Sequence, residues 1–579
     1  MSSLQKIAFT LMVCLFAVVC IGGVIAAENG ACSSAAGNTG KPHGYTDGQV
    51  FSPDPTRVAY TGIPVSSPPE PANLTVNKTA LGSSTSVPIF WDASRNCSPD
   101  RRHCASVFPT EEGQCMMLDG NMGKSYKRIG GQVFSPDSKH IGYIVESGGK
   151  RFVVVDDKEG KQYDDIGKET LVFSPDSSRV AYTGVSAAAG TECCVVADGV
   201  EGKWYPAADK PIFSPDSKHV AYYTGSEYGK TMTGPKMVSG KGVIVVDDKE
   251  VRQFDEVGDL VFSPDSAHWA CIIMVGKQYL VVQDGVDGKP YDWIMGPPIF
   301  SPDSKHMAYI AGSEGKRFVV QDGVEGNGYD VIIAGGFGAP VNQTDVMPVF
   351  SPDSQHLAYV AKDGDKYLIV QDAVEGKKYS KKVSRPVFSP DSKHLAYGAT
   401  DADGACIVQD GVEGPKYSDI SRVTFSPDSS RLAYAAVIKY GEECVMVDGV
   451  EGTHYFAIGD IVQTTPNGQA TGVGIVFTPD SKRIICAGKT QGGKCFIIID
   501  GVTGKEYERV LDLNISPDGK HVAYRALLGG LWVYVIDGQE IGEPEEKPVT
   551  GLIFDSPTKC HGIIQKGSTA FLIEIEIAP

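Results

Sequence analysis

VFSPDSQHLAYVAKDGDKYLIVQDAVEGKKYSKKVSRPV, Val349 to Val387, is the stretch whose reading decides the fold. Phe350 closes a short apolar strand. Ser351 is held extended because it precedes Pro352, which cannot donate to a neighbouring strand and so ends the pairing. Asp353 and Ser354 have short polar side chains that bond to nearby backbone, which predicts a turn. A second strand follows, His356-Leu357-Ala358-Tyr359-Val360, then a loop at Lys362-Asp363-Gly364-Asp365. The third strand, Tyr367-Leu368-Ile369-Val370, is apolar at successive positions and predicts a strand covered on both faces. A turn from Asp372 to Lys377 leads to a polar fourth strand around Tyr379 and Val383. The unit reads as four antiparallel strands.

The same unit recurs along the chain. With the Phe350 position as marker, copies fall at Phe51, Cys97, Phe134, Phe173, Phe213, Phe262, Phe300, Phe350, Phe388, Phe425, Phe477, Ile515 and Phe554. Most are 37 to 40 residues apart, with gaps of 46, 49, 50 and 52 where insertions occur. A second signature recurs about 20 residues after the marker, as in Gln321-Asp322-Gly323-Val324-Glu325-Gly326. Short sheets repeated at this period, with apolar faces that none covers alone, predict an all-β β-propeller of about thirteen four-stranded blades. The Ser-Pro-Asp-Ser-x-[His/Arg]-x-Ala-Tyr copies resemble the WD40-like repeat of TolB-type β-propellers over residues 49–579. The resemblance implies the fold. It departs from the TolB pattern in lacking a preceding α/β domain and in carrying the Asp-Gly-x-Glu-Gly turn, so a TolB-like role is not implied.

Thirteen blades exceed one ring of the usual four to eight, and two rings of six and seven are the expected arrangement. One division gives residues 43–300 and 301–579. In the other, the two chain ends complete one blade together, because the final copy has material for three strands and His43-Gly44-Tyr45-Thr46 precedes the first marker. Residues 7–27 are uncharged and mostly apolar behind Lys6, ending in Val24-Ile25-Ala26-Ala27. Residues 1–27 therefore read as an export signal, with an uncleaved anchor as the alternative, and residues 28–42 as a flexible lead-in. The expected location is extracytoplasmic, with membrane contact only through such an anchor.

Composition narrows the function. A hydrophobic content of 42% and a charged content of 21% are those of a globular chain, and a net charge of −18 with no basic run argues against nucleic acid. His103, His140, His219, His268, His306, His356, His394, His521 and His561 are read at one repeat position, which Arg57, Arg179, Arg431 and Arg483 occupy in other copies. Arg does not ligate divalent metals and repeated positions are spread between blades, so these are structural donors bracing the Ser-Pro-Asp turn, and no metal or cofactor is expected. The repeated aspartates, Asp353 among them, form no calcium-loop run and are read as turn formers. Cys104 with Cys115, and Cys486 with Cys495, are candidate within-blade disulfides. Cys271, Cys406 and Cys444 have no evident partner, and Cys193 and Cys194 should point to opposite faces.

No nucleophile elbow, P-loop, His-Glu-x-x-His or dinucleotide fingerprint occurs. The expectation is a non-enzymatic module that binds a protein or cell-envelope partner. A carbohydrate lyase or hydrolase with its site at a channel mouth is the rival, and a self-associating envelope protein the third possibility. Recognition is expected in the long insertions, on the face opposite the two tight turns, through Tyr228, Lys230, Lys236, Phe337, Asn342, Asp345, Gln463 and Asn467. The Pro/Ser-rich insertion at residues 63–86 is expected to be flexible.

Overall fold

A computed structural model describes residues 74–83, 97–187, 192–225, 238–333, 348–459, 461–464, 470–543, 546–567 and 569–578. The export signal, the lead-in, His43 to Thr46 and the Phe51 marker lie outside the described residues. No helix among those residues is long and apolar enough to cross a membrane, and the secondary structure there is entirely β.

The Phe350 repeat shows how the sequence becomes a sheet. Val331–Ile333 and Val349–Phe350 both pair with Leu357–Asp363, which pairs with Lys366–Gln371, which pairs with Val374–Glu375. All four steps are antiparallel. The turn before the last strand is tighter than the sequence reading: only Asp372 and Ala373 lie in it, with φ of 50° and 62°. Two left-handed residues joining paired strands make a primed hairpin, whose twist matches that of the strands it joins. Tyr379 closes the fourth strand by a bridge to Tyr367. Val383, expected in that strand, instead pairs with Ala399 and so begins the next sheet.

Twelve repeats, from Cys97 to Phe554, have their sheets among the described residues, and each sheet is named here by its marker. The Phe213 and Phe262 sheets are fused by one long strand, Lys249–Phe262, which ends the first and begins the second. Central strands are apolar throughout because each face meets a different neighbour. Leu357, Tyr359 and Ala361 pack with Ala308 and Ile310 of the Phe300 sheet. Ala358 and Val360 pack with Leu395 and Tyr397 of the Phe388 sheet. A strand sandwiched in this way has no solvent face on which polar residues could alternate.

This succession runs without interruption. Across residue 300, Ala270 and Ile272 pack with Tyr291, Met307 and Tyr309. At the far end, Leu74–Ser83 pairs antiparallel with Thr569–Ile577, from Leu74↔Ile577 to Ser83↔Thr569. The insertion expected to be flexible therefore contains a strand, in which Leu74 and Val76 pack inward and Thr75 and Thr79 suit the outer face. Leu81, Val549, Ile563 and Ala570 then pack against Cys97 and Cys104 of the Cys97 sheet. The guanidinium of Arg102 reaches Asp555 at 2.8 Å and Glu574 at 3.3 Å across the same boundary. The last sheet thus packs on the first, within one compact unit formed by residues 64–579.

Candidate functional site

The repeated polar residues hold the scaffold together. In the Phe350 sheet, Ser351 Oγ donates to Asp353 Oδ1 at 2.6 Å and accepts from His356 N, while Asp353 Oδ1 also accepts from Gln355 N. Asp353 N then donates to Ser392 Oγ of the next sheet at 2.9 Å. Ser392 sits at φ 64°, which aims its hydroxyl back across the boundary. The same bond recurs from Asp100–Ser138 to Asp428–Ser481. These bonds hold the turn carboxylates below the ordinary range: the hydroxyl of Ser135 and the amide of Lys139 bring Asp137 to about 2, and Ser426 and Ser430 do the same for Asp428.

The histidines brace their turns through a partner the sequence did not name. His356 Nδ1 lies 2.7 Å from Asp372 Oδ2, so it ties its turn to the Asp-Gly hairpin, and Asp372 Oδ1 accepts from Leu357 N. Arg179 and Arg431 make the equivalent bond to Asp198 and Asp448 and also reach carbonyls of the next sheet. Both turns thus lie on one face, as the strand count requires. His561 is an exception: Phe554 pairs with Cys560 whereas Phe350 pairs with Leu357, so Lys559 holds the repeat position and His561 the one two residues later. Its Nε2 lies 2.6 Å from Asp100 O, across the boundary between last and first sheets.

The Gly-Lys-x-Tyr that follows six of the hairpins, from Gly123 to Gly504, is also structural. Lys124 and Tyr126 both donate to Glu159 of the next sheet, as Lys203 and Tyr205 do to Glu250. The tyrosine ring meets the Ala-Tyr tyrosine of that sheet edge to face, as in Tyr329 with Tyr359 at 6.3 Å.

Several boundaries depart from this pattern, such as Phe254 with Cys271, and at two of them the departure leaves a cavity or an altered polar cluster. Between the Ile515 and Phe554 sheets both tyrosines are missing, since the sequence reads Gly542-Glu543-Pro544-Glu545 in one and Gly562 at the Ala-Tyr position of the other. A cavity of about 290 Å³ is found there, walled by Val76, Trp532, Tyr534, Ile541 and Ile573, with Lys78 and Glu546 paired at 2.6 Å. Pro415 at the end of the Phe388 repeat and Thr453 in the Phe425 sheet stand where lysines would be. Glu451 is held by His454 Nε2 at 2.7 Å, and His454 Nδ1 lies 2.7 Å from Glu442. Both carboxylates, Glu442 first, raise the pKa of His454. The buried Cys444 sulfur, a Glu451 oxygen and a ring nitrogen of His454 lie within 4.8 Å of one another.

Of the expected recognition residues, Tyr228, Lys230, Lys236, Phe337, Asn342, Asp345 and Asn467 lie outside the described residues. Gln463 falls in Ile461–Thr464, which forms a hairpin with Ala470–Val473, and Val462 pairs with Leu511, so part of the insertion expected as loop is strand. The candidate disulfides do not form. Cys104 and Cys115 are not opposite each other, since Cys115 pairs with Phe108, and Cys486 and Cys495 pair with Ile498 and Lys489. Cys104 instead has its sulfur 3.0 Å from that of Cys97. Cys194 packs toward the Phe134 sheet and Cys193 toward the Phe213 sheet, on opposite faces as expected.

No protein-family model and no curated protein matches the chain. Among solved structures it is similar to a eukaryotic initiation factor (13% identity, 63% of this chain and 97% of that one, TM-score 0.30) and to the Dos1 propeller (10%, 57% and 93%, 0.26). TolB from Acinetobacter baumannii is also similar (14%, 54% and 62%, 0.20). At these scores the overlaps assign neither a role nor a partner.

Proposed function

We propose that the protein is a non-enzymatic, extracytoplasmic β-propeller whose twelve described repeats close into a single ring and which acts as a protein-binding scaffold. One observation carries this reading: the polar residues that recur, Ser, Asp, His or Arg, Lys, Tyr and Glu, are paired with one another within and between sheets. Chemistry common to the repeats is therefore committed to holding the scaffold, and recognition falls to positions that differ between repeats. The unbroken packing across residue 300 and the pairing of residues 74–83 with the C-terminal strand favour one ring over two.

A photo-crosslinking amino acid placed at Tyr228, Phe337 or Asn467 tests the binding face. It should capture one and the same protein from envelope extracts, while the same probe at Val374, on the turn face, should capture none. Capture only from the turn face would contradict the proposal. The cavity between the Ile515 and Phe554 sheets favours a second reading, a small apolar ligand. Calorimetric titration with p-cresol tests it: saturable heat is expected, and no heat would contradict it.

A further inference from the structure

We propose that Cys444, Glu451 and His454 form a binding site for a borderline divalent transition metal of the zinc class. Cys444 and His454 are register partners on adjacent strands of the Phe425 sheet, and Glu451 is the register partner of Met446, two residues from Cys444. Side chains two apart on a strand share a face, so one thiol, one imidazole and one carboxylate converge. Their ligand atoms lie within 4.8 Å of one another. A zinc-class ion bound at 2.0 to 2.3 Å needs ligand atoms about 3.5 Å apart, so the three would draw together by roughly 1 Å on binding. Thiolate, imidazole and carboxylate are the donors such an ion takes, with water completing the tetrahedron.

The surroundings of His454 give the second observation. Metal-bound imidazoles ordinarily give their other nitrogen to a carboxylate, which fixes tautomer and ring orientation. Glu442 stands at 2.7 Å from Nδ1, itself held by Lys439 at 2.7 Å, so Nε2 is the nitrogen turned toward Glu451. A proton now bridges Nε2 and Glu451, and a metal ion would take its place, releasing that proton and the Cys444 thiol proton. The competing account is that His454 merely supplies the cation that Pro415 withholds from Glu451. It accounts for both carboxylate contacts, since an imidazolium donates from each ring nitrogen, and differs from the metal reading in giving no role to the Cys444 thiol beside them. Cys194 and Cys406 occupy the equivalent third-strand position in their sheets, opposite Gly184 and Ala399 as Cys444 is opposite Ala436. Their sheets have no histidine in the fourth strand, so they serve as internal controls.

The test is titration of the reduced full chain with Co(II). One equivalent should produce a thiolate-to-cobalt charge-transfer band and tetrahedral visible bands, both abolished by one equivalent of Zn(II). Cys444→Ser should remove the charge-transfer band, and Cys406→Ser should leave it. His454→Lys keeps a cation beside Glu451 and should melt like wild type while losing the visible bands. Glu442→Gln should weaken binding by about 10- to 100-fold. No charge-transfer band at stoichiometric cobalt, a band that survives Cys444→Ser, or unchanged cobalt affinity in His454→Lys would each overturn the proposal.

Discussion

His356 and Phe388 meet across a sheet boundary with ring centroids 6.4 Å apart, yet their contributions to stability differ in kind. Phe388 is 9% exposed between two sheets, so Phe388→Ala leaves a cavity and should cost about 3–5 kcal/mol. The His356 side chain is 40% exposed and makes one bond to Asp372, so His356→Ala should cost about 1 kcal/mol or less. Denaturant titration separates the two, and equal losses would contradict this assignment of roles. The turn aspartates predict an acid response. A carboxylate held below its ordinary value in the folded state stabilises fully above that ordinary value, near 4, and loses the contribution as pH falls through the folded value, about 2 for Asp137 and Asp428. The urea midpoint should therefore fall between pH 4 and 2, and less steeply in Asp428→Asn; parallel curves would contradict it. At this scale the turn-forming role of Asp353 was legible because its partners are two residues away. The partner of His356 was not, because Asp372 lies 16 residues along and reaches it only when the third strand pairs back.

The hairpin before each fourth strand sets the register of that strand, and its second residue is glycine at Gly411 and Gly323 but alanine at Ala373, all left-handed. A Cβ there costs roughly 1–2 kcal/mol. Ala373→Gly should therefore raise stability by roughly 1 kcal/mol, against the usual loss for that exchange, and a lowered melting temperature would contradict the hairpin assignment. The Cys97 and Cys104 pair belongs to the same scale. Cys97 bridges Cys104 as an antiparallel pair, and Cys104 N donates to Asp119 rather than across the pair. That is the closely spaced kind of pair, within disulfide reach. Oxidised glutathione should convert the two thiols to a disulfide by two exchange steps, releasing two glutathione thiols. Peptide mass analysis should find Cys97 linked to Cys104, and recovery of both as free thiols would contradict it. Individual strands were legible from period and punctuation. Strand ownership was not: Val383 and residues 74–83 pair with segments that no local pattern names.

Across the whole molecule, repetition made the all-β architecture legible, since two signatures in register can only recur if each sheet meets like neighbours. Ring size was not legible, because it is set by small rotations between sheets summed over every boundary, and the seam depends on which segment happens to complement the final strand. Leu74–Ser83 does so through nine paired positions, and Arg102, His561 and Leu81 join the last sheet to the first. The most direct test is electron microscopy of the purified chain, with class averages viewed along the ring axis. A single closed ring of twelve radial sheets is predicted; two smaller rings, or an open arc with free ends, would contradict it.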